Sequence, residues 1–193
     1  MEVALRRFAR DGYHTTKISD IVAEAGVSQG TFYWYFPSKE AIALEMIAEG
    51  RGQLLDVIAQ GYRKHMGTVA DMVEASEALL RNLFEFAEAN RHLMELLLGG
   101  WSASEPIRLA IGQTRAAMEN AFVQNIKRAV ELRMLPSTID AHMRAAILMS
   151  LIEGIILRWL VGSAVPGNGF ENRTAAQLAA ETARFEFFGL LGI

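Results

Sequence analysis

The stretch Val27–Pro37, with the sequence VSQGTFYWYFP, constrains the fold of this chain more than any other segment. It places five aromatic residues in succession, at 32–36, in a chain whose aromatic content is only 9%. Ser28 is a favourable helix N-cap, and Pro37 disfavours the helical conformation at Phe36. The stretch therefore predicts a helix of about two turns, which is too short to be stable without tertiary packing.

The side chains of this short helix divide into two faces, because residues three and four apart lie on the same side of a helix. One face carries Gln29, Gly30, Tyr33 and Trp34, and the other carries Phe32 and Tyr35. We expect the second face to pack into a core and the first to point outward. A short helix that exposes a glutamine, a glycine and two amphipathic aromatics is typical of a recognition surface.

The residues before this helix predict a second short helix joined to it by a tight turn. Thr16 precedes a run of apolar residues with helical spacing and is expected to be its N-cap: Ile18, Ile21, Val22 and Ala25. Gly26 and Val27 then form the turn. Helix, glycine-containing turn and helix in this order predict a helix-turn-helix motif.

Residues 16–40, TKISDIVAEAGVSQGTFYWYFPSKE, resemble the TetR (tetracycline-repressor) family of bacterial transcription regulators. The resemblance covers roughly the first 45 residues, and the rest of the chain is similar to the family only in length and helical character. It implies an all-α fold of about nine helices. In that fold, residues 1–43 would form a three-helix DNA-binding domain and residues 44–193 an effector-binding and dimerisation domain.

The resemblance also implies which residues contact double-stranded DNA at a palindromic operator. Four residues of the short helix would face the major groove, where Gln29 can hydrogen-bond a base edge: Gln29, Gly30, Tyr33 and Trp34. Contacts to phosphates would come from side chains at the helix starts and flanks: Thr16, Lys17, Ser19, Thr31, Tyr35 and Lys39. The helix-start amides at Ser28 and Lys39 would add attraction for phosphate.

The charge balance does not by itself indicate a nucleic-acid binder. The net charge of the chain is −3. Residues 1–45 contain five Lys and Arg (Arg6, Arg7, Arg10, Lys17, Lys39) and six Asp and Glu (Glu2, Asp11, Asp20, Glu24, Glu40, Glu45). DNA binding must therefore depend on where the charges point rather than on a global field.

A long helix is predicted to begin after Pro37, and Gly50 and Gly52 interrupt it. Each glycine costs about 1 kcal/mol relative to alanine in a helix interior. Two interpretations remain open. The glycines allow a neighbouring helix to pack closely, or they soften a joint between the DNA-reading and effector-sensing parts.

The C-terminal part predicts further helices, of which residues 138–162 are apolar on nearly all sides. Arg144, Glu153 and Arg158 interrupt this segment, so no membrane span is expected. A four-helix bundle between two copies explains such helices best, and the resemblance implies the same homodimer. We expect its interface to include Ile155, Trp159, Phe185 and Phe188. The N-terminus has no apolar secretory segment, and a cytoplasmic protein is expected.

The resemblance further implies a cavity for a small, largely apolar effector among the central helices. Candidate lining residues are Met94, Leu97, Trp101, Arg115, Met118, Glu119, Phe122, Met149 and Ile152. Methionine suits irregular apolar pockets, although ordinary core packing explains each apolar residue better when taken singly. Surface positions or interface ion pairs explain the polar residues equally well. Glu153 and Arg158 are further polar candidates for orienting a ligand.

No catalytic, metal or cofactor site is predicted. Glu88, His92 and Glu95 have a spacing that could ligate a metal, but a solvated polar face explains them better. The sequence contains no nucleophile elbow, phosphate loop or paired acid and base, so an enzyme is not expected. The predicted function is a ligand-responsive repressor. The alternative is a helical ligand-binding or scaffolding protein whose DNA-binding motif no longer works.

Overall fold

The computed structural model describes residues 1–99, 104–162, 167, 169–170 and 172–189. Regular structure in these residues is helical throughout, which confirms the predicted all-α class. The helices are α1 (Glu2–Asp11), α2 (Ile18–Ala25), α3 (Gln29–Tyr35), α4 (Lys39–Ala59), α5 (Val69–Ala89), α6 (Arg91–Leu98), α7 (Glu105–Glu131), α8 (Ala141–Ile156) and α9 (Ala175–Phe188). A π-helical segment, Leu157–Val161, continues α8.

Local capping explains where several helices begin. Ser28 Oγ accepts a hydrogen bond from the Thr31 amide at 3.0 Å at the start of α3, as predicted. Ser38 Oγ accepts one from the Ala41 amide at 3.0 Å before α4. Each such cap satisfies an amide that the first turn of a helix leaves without a partner, and is worth about 1 kcal/mol.

The chain forms two compact units. The first comprises Met1–Gly52 and Asn90–Arg115, and the second comprises Gln53–Ala89 and Ala116–Ile193. Helices α4 and α7 therefore each contain residues of both units. The predicted division after residue 43 concerns which residues bind DNA and which bind effector, so it stays a prediction.

The core of the first unit joins α1, α2, α3, the first half of α4 and α6. Helix α1 packs against both α6 and α2. The buried apolar side chains of this core include Ala4, Phe8, Ile21, Val22, Phe32, Ile42, Met46, Ile47, Leu93, Met94, Leu96 and Leu97. Burying each of the larger ones contributes about 1.5–3 kcal/mol. This core holds the two short helices, α2 and α3, which would not be stable alone.

The core of the second unit is built on the packing of α5 against α9. Ala179 and Ala183 of α9 are fully buried, and their small size allows close approach to the large side chains of α5. Those side chains are Leu79, Leu80, Leu83 and Phe84. None of the helices in the described part of the chain is long and apolar enough to cross a membrane.

The two glycines of α4 have different surroundings. A Cβ added at Gly50 would lie 2.4 Å from Leu93 Cδ2 and 2.9 Å from Leu93 Cδ1. A Cβ added at Gly52 would have no atom within 4 Å. Close packing therefore accounts for Gly50, while it does not account for Gly52.

Candidate functional site

Helix α3 presents most of its side chains to solvent. Trp34 is 83% exposed, Tyr35 71% and Tyr33 52%, whereas Phe32 is buried. Gln29 is exposed as well, so the predicted outward face agrees with the structure. The assignment of Tyr35 to the inner face was wrong, because Phe32 alone of the α3 side chains is buried.

The turn between α2 and α3 has the geometry of a helix-turn-helix. Gly26 adopts the left-handed conformation, with φ 68°, which glycine enters without a steric penalty. The Val27 amide donates to the Val22 carbonyl at 3.0 Å and closes the end of α2. Ser28 then starts α3, and its hydroxyl lies 2.9 Å from the Thr31 hydroxyl. The two predicted contacts Ser28 and Thr31 are thus adjacent at the exposed start of α3.

Lys39 holds the motif together rather than facing solvent. Its ammonium donates to the carbonyls of Tyr13 at 2.6 Å, His14 at 3.3 Å and Thr16 at 2.8 Å. It also lies 4.5 Å from the centre of the Tyr13 ring. An ammonium has three donors, so all of them are used. The phosphate contact of Lys39 stays a prediction, which this use of its donors does not support, and burial lowers the pKa of the Lys39 ammonium.

Thr16 is also turned inward. Its side chain is 2% exposed, and its hydroxyl donates to the Gly12 carbonyl at 2.8 Å. The N-cap of α2 is Lys17, whose amide donates to the Asp20 carboxylate at 3.3 Å. The prediction of Thr16 as the N-cap was therefore wrong, whereas its phosphate contact stays a prediction that its buried side chain does not support. Lys17 and Ser19 remain exposed at the start of α2.

The arginines of α1 are paired with carboxylates of the same unit. Arg6 Nη2 and Arg7 Nε each lie 2.5 Å from a carboxylate oxygen of Glu24. Arg10 Nε lies 2.7 Å from Asp11. The hydrogen bond from Arg6 is the main cause that lowers the pKa of Glu24. The positive charge of α1 is thus largely balanced before any partner arrives.

Lys17 is the exception among the cations at the start of the chain. Lysine and arginine in residues 1–45, all of which the structure describes, are Arg6, Arg7, Arg10, Lys17 and Lys39. Of these, only Lys17 is neither in an ion pair nor used by backbone carbonyls. It lies at the start of α2, where the helix amides also favour an anion.

The residues predicted to line an effector cavity mostly pack as core. Met94, Leu97, Met118, Met149 and Ile152 are buried. Met94 and Leu97 belong to the first unit, and the other three belong to the second. Trp101 lies outside the described residues. Arg115 is exposed and Glu119 half-buried, and neither lines the cavity found in the second unit.

That cavity has a volume of about 290 Å³ and lies between α5, α7, α8, α9 and the turn after α4. Of the predicted effector residues, Phe122 lines it. The other apolar lining residues include Met72, Leu79, Leu80, Ile126, Leu135, Ile139, Leu148 and Phe187. The polar side chains in its wall are Arg63, Ser76, Asn125, Arg144 and Glu186. A mostly apolar lining with a few polar groups is typical of a small-molecule site.

Several polar groups of this wall already have partners. The Ser76 hydroxyl donates to the Glu186 carboxylate. Protein atoms around Glu186 raise the pKa of its carboxyl, and the bond from Ser76 partly opposes this effect. Arg63 Nη2 donates to the Asp71 carbonyl at 2.7 Å, and Asn125 Nδ2 donates to the Ile58 carbonyl at 3.1 Å.

The predicted dimer residues divide into two groups. Ile155, Phe185 and Phe188 line an open groove between α8 and α9. Trp159, by contrast, is only 8% exposed; its indole donates to the Arg173 carbonyl at 3.0 Å. It also packs edge-to-face on Phe84, so it contributes to the core of its own subunit, and its place in the dimer interface stays a prediction.

The side chains of Glu88, His92 and Glu95 are not grouped as the ligands of a metal ion. The Glu95 carboxylate accepts from Arg91 Nε at 3.0 Å and lies 3.1 Å from His92 Nδ1. Across the described ranges, no three potential ligand side chains are grouped to hold a metal ion.

Comparison with known proteins places these features in a family. Residues 1–46 match the family described as "Bacterial regulatory proteins, tetR family". The chain is 25% identical over 166 residues to the HTH-type transcriptional regulator AcrR of Shigella flexneri, covering 83% of this chain and 76% of that protein.

Solved structures of two regulators share the fold. The fatty acid degradation regulator FadR of Bacillus halodurans superposes with a TM-score of 0.81 and 19% identity, covering 98% of this chain and 93% of that chain. FadR of Bacillus subtilis, solved in complex with stearoyl-CoA, gives a TM-score of 0.79 and 18% identity, covering 98% and 96%. The matched family consists of regulators, which confirms the expectation that the chain is not an enzyme. Residues 1–46 therefore carry a TetR-family helix-turn-helix domain, and the chain as a whole is similar to helix-turn-helix transcriptional regulators and has their all-α fold.

Proposed function

We propose that the protein is a ligand-responsive repressor that binds a palindromic DNA operator as a homodimer and leaves it when a small effector binds. The observation that carries this proposal is the outward presentation of Gln29, Tyr33 and Trp34 on a short helix fixed by a capped turn. The ring contacts of Tyr33 and Trp34 are with Phe32 and Tyr35 of the same helix, so both rings remain available to a partner.

In the proposed complex, α3 enters the major groove and Gln29 reads a base edge. Glutamine pairs well with adenine, and one good contact of this kind discriminates by about 1–3 kcal/mol. Lys17, Ser19, Thr31 and Tyr35 contact the sugar-phosphate backbone beside it, together with the amides at the starts of α2 and α4. The backbone contacts set the position of α3, and Gln29 supplies part of the sequence preference.

The proposed homodimer forms through α8 and α9. Met143, Ile147, Leu151 and Ile155 follow one another at intervals of four on α8, and Met143 and Ile147 are exposed. Phe188 at the end of α9 is exposed too. An apolar stripe of this length is typical of a helix that packs against another subunit. Two copies can then present two α3 helices to half-sites about 34–36 Å apart.

The proposed effector site is the cavity of the second unit. Its lining is mostly apolar, which favours a ligand with an apolar body. The structure of the Bacillus subtilis relative in complex with stearoyl-CoA supports an apolar effector for this fold. An effector releases DNA only if it prefers a conformation in which the two α3 helices no longer fit successive major grooves.

A mobility-shift experiment with DNA from upstream of the protein's own gene tests this function. We expect a specific shift with wild-type protein and a relaxed base preference with Gln29→Ala. Gln113→Ala is the matched control, because Gln113 is an exposed glutamine on α7. Equal sequence profiles for wild type and Gln29→Ala would remove Gln29 from the reading role. Failure of the wild type to shift any DNA at low salt would favour the scaffolding alternative.

A further inference from the structure

We propose that the cavity of the second unit takes a small amphipathic carboxylate, with its head group on Arg144 and its apolar body among Met72, Leu79 and Phe122. This inference rests on the proposed function, in which the cavity is the effector site. It adds the chemical class of the effector, which the fold alone does not give.

Arg144 is exposed at the cavity wall and carries a charge that no described protein group pairs with. In the part of the chain that the structure describes, its guanidinium has no carboxylate within ion-pair distance and no hydrogen-bond partner. Arg63 differs, because its Nη2 donates to the Asp71 backbone carbonyl at 2.7 Å. Arg63 thus already has a protein partner, whereas no described protein group bonds to the Arg144 guanidinium.

The acidic group of the wall does not cancel this charge. Among the described lining residues, Glu186 carries the one carboxyl group, and it is engaged by the Ser76 hydroxyl. The two guanidinium groups in the wall, on Arg63 and Arg144, outnumber this single carboxyl group. The cavity therefore suits an anion better than a cation. A guanidinium matches a carboxylate through two parallel hydrogen bonds, which a single cationic point charge cannot provide.

The apolar lining and the volume of the cavity limit the polarity and the size of the rest of the ligand. Apolar side chains from α5, α7, α8 and α9 surround the space beyond the polar groups. A volume of about 290 Å³ is at the small end of the range for ligand cavities, roughly 300–1,000 Å³. This space fits a short or medium acyl chain or a single aromatic ring. A complete acyl-coenzyme A does not fit inside it.

Calorimetry on the full-length protein at neutral pH with three probes of equal chain length tests the inference: octanoate, 1-octanol and octylamine. A charge-assisted hydrogen bond should make octanoate bind about tenfold to a hundredfold more tightly than 1-octanol. Octylamine should bind more weakly than either. Shortening octanoate by one buried methylene should reduce affinity about fourfold.

Arg144→Gln locates the head group. We expect it to reduce octanoate affinity to that of 1-octanol and to leave 1-octanol binding unchanged, which also shows that the cavity is intact. Lys127→Gln is the matched control, because it removes one exposed positive charge from α7 outside the cavity. Unchanged octanoate binding by Arg144→Gln would overturn the assignment, as would equal affinity of the wild type for octanoate and 1-octanol.

Two further measurements distinguish failure of this inference from failure of the proposed function. Tighter binding of octanoyl-coenzyme A than of octanoate would overturn the free carboxylate as the head group. Release of operator DNA is measured separately in the presence of octanoate. Arg144-dependent binding of octanoate without release of DNA would support the ligand class and refute the proposed switching function.

Discussion

The glycine pair of α4 gives a prediction in which neighbouring substitutions have opposite effects. Gly52→Ala should stabilise the protein by up to about 1 kcal/mol, because alanine favours the helix and the added methyl meets no atom within 4 Å. Gly50→Ala gains the same preference but places its methyl 2.4 Å from Leu93 Cδ2. Overpacking of a buried site costs about 1–3 kcal/mol. Because Leu93 is itself buried, we expect Gly50→Ala to be destabilising by up to about 2 kcal/mol.

Urea denaturation of both variants at one fixed protein concentration measures this difference. The concentration must be constant because association stabilises the folded state of a dimer. In thermal melts of a chain of this length, each kcal/mol corresponds to about 2–4 °C. We therefore expect Gly52→Ala to melt several degrees above Gly50→Ala, with the wild type between them.

Repeating Gly50→Ala in a Leu93→Ala background tests whether overlap with the Leu93 side chain causes the destabilisation. Leu93→Ala alone should cost about 2–5 kcal/mol, since it empties a buried site. With the Leu93 side chain shortened, the methyl at position 50 has room, so Gly50→Ala should become neutral or stabilising in that background. Equal destabilisation by Gly50→Ala in both backgrounds would refute the reasoning. Equal stabilisation by Gly50→Ala and Gly52→Ala in the wild type would refute it as well.

Other parts of the structure give further predictions. Lys39→Met should destabilise the protein by about 1–3 kcal/mol, because the carbonyls of the α1–α2 loop lose their donor, and should weaken DNA binding without changing its salt slope. Lys17→Met should instead leave the melting temperature unchanged and reduce that slope by about one, as measured by titration over a salt series. Phe188→Asp should yield monomers in analytical ultracentrifugation and abolish operator binding; a wild type that sediments as a monomer at micromolar concentration would contradict the interface. Glu24→Gln should melt below the wild type at neutral pH, because arginines lower the pKa of the Glu24 carboxyl in the folded state, and the difference should vanish as the pH falls through that lowered pKa.

Local sequence signals were sufficient to predict helix α3. Ser28, Gly26 and Pro37 act on the residues next to them, so the start of α3, its turn and its end could be predicted from spacing alone. The exposure of Tyr33 and Trp34 followed from the same helical geometry. Tyr35 was misassigned because a helix of seven residues needs only one large anchor, and Phe32 provides it.

Roles that depend on distant contacts could not be predicted in this way. Lys39 bonds to carbonyls 23–26 residues earlier in the chain, so its sequence neighbourhood at the start of α4 indicated only an exposed cation. Thr16 likewise precedes a helix and looks like a cap, but the fold directs its hydroxyl to Gly12.

The cavity of the second unit could not be predicted from the sequence for the same reason. Ser76 and Glu186 meet across 110 positions, and the other lining residues come from separate helices. The predicted lining residues were chosen by hydrophobicity, and some of them, such as Met149 and Ile152, pack in the core instead. Hydrophobicity predicts that a side chain is buried, but not whether it borders a cavity.

The ion pairs of α1 have a consequence for how the protein competes for its operator in a cell. Non-specific affinity for DNA comes almost entirely from cations that replace counterions along the phosphates. Arg6, Arg7 and Arg10 are occupied by Glu24 and Asp11, so random genomic sequence should retain this protein only weakly. Since a genome offers about 10⁶–10⁹ competing sites, a low background affinity leaves more molecules free to find the operator. The acidic partners of these arginines would thus raise occupancy of the correct site without making a single contact to it.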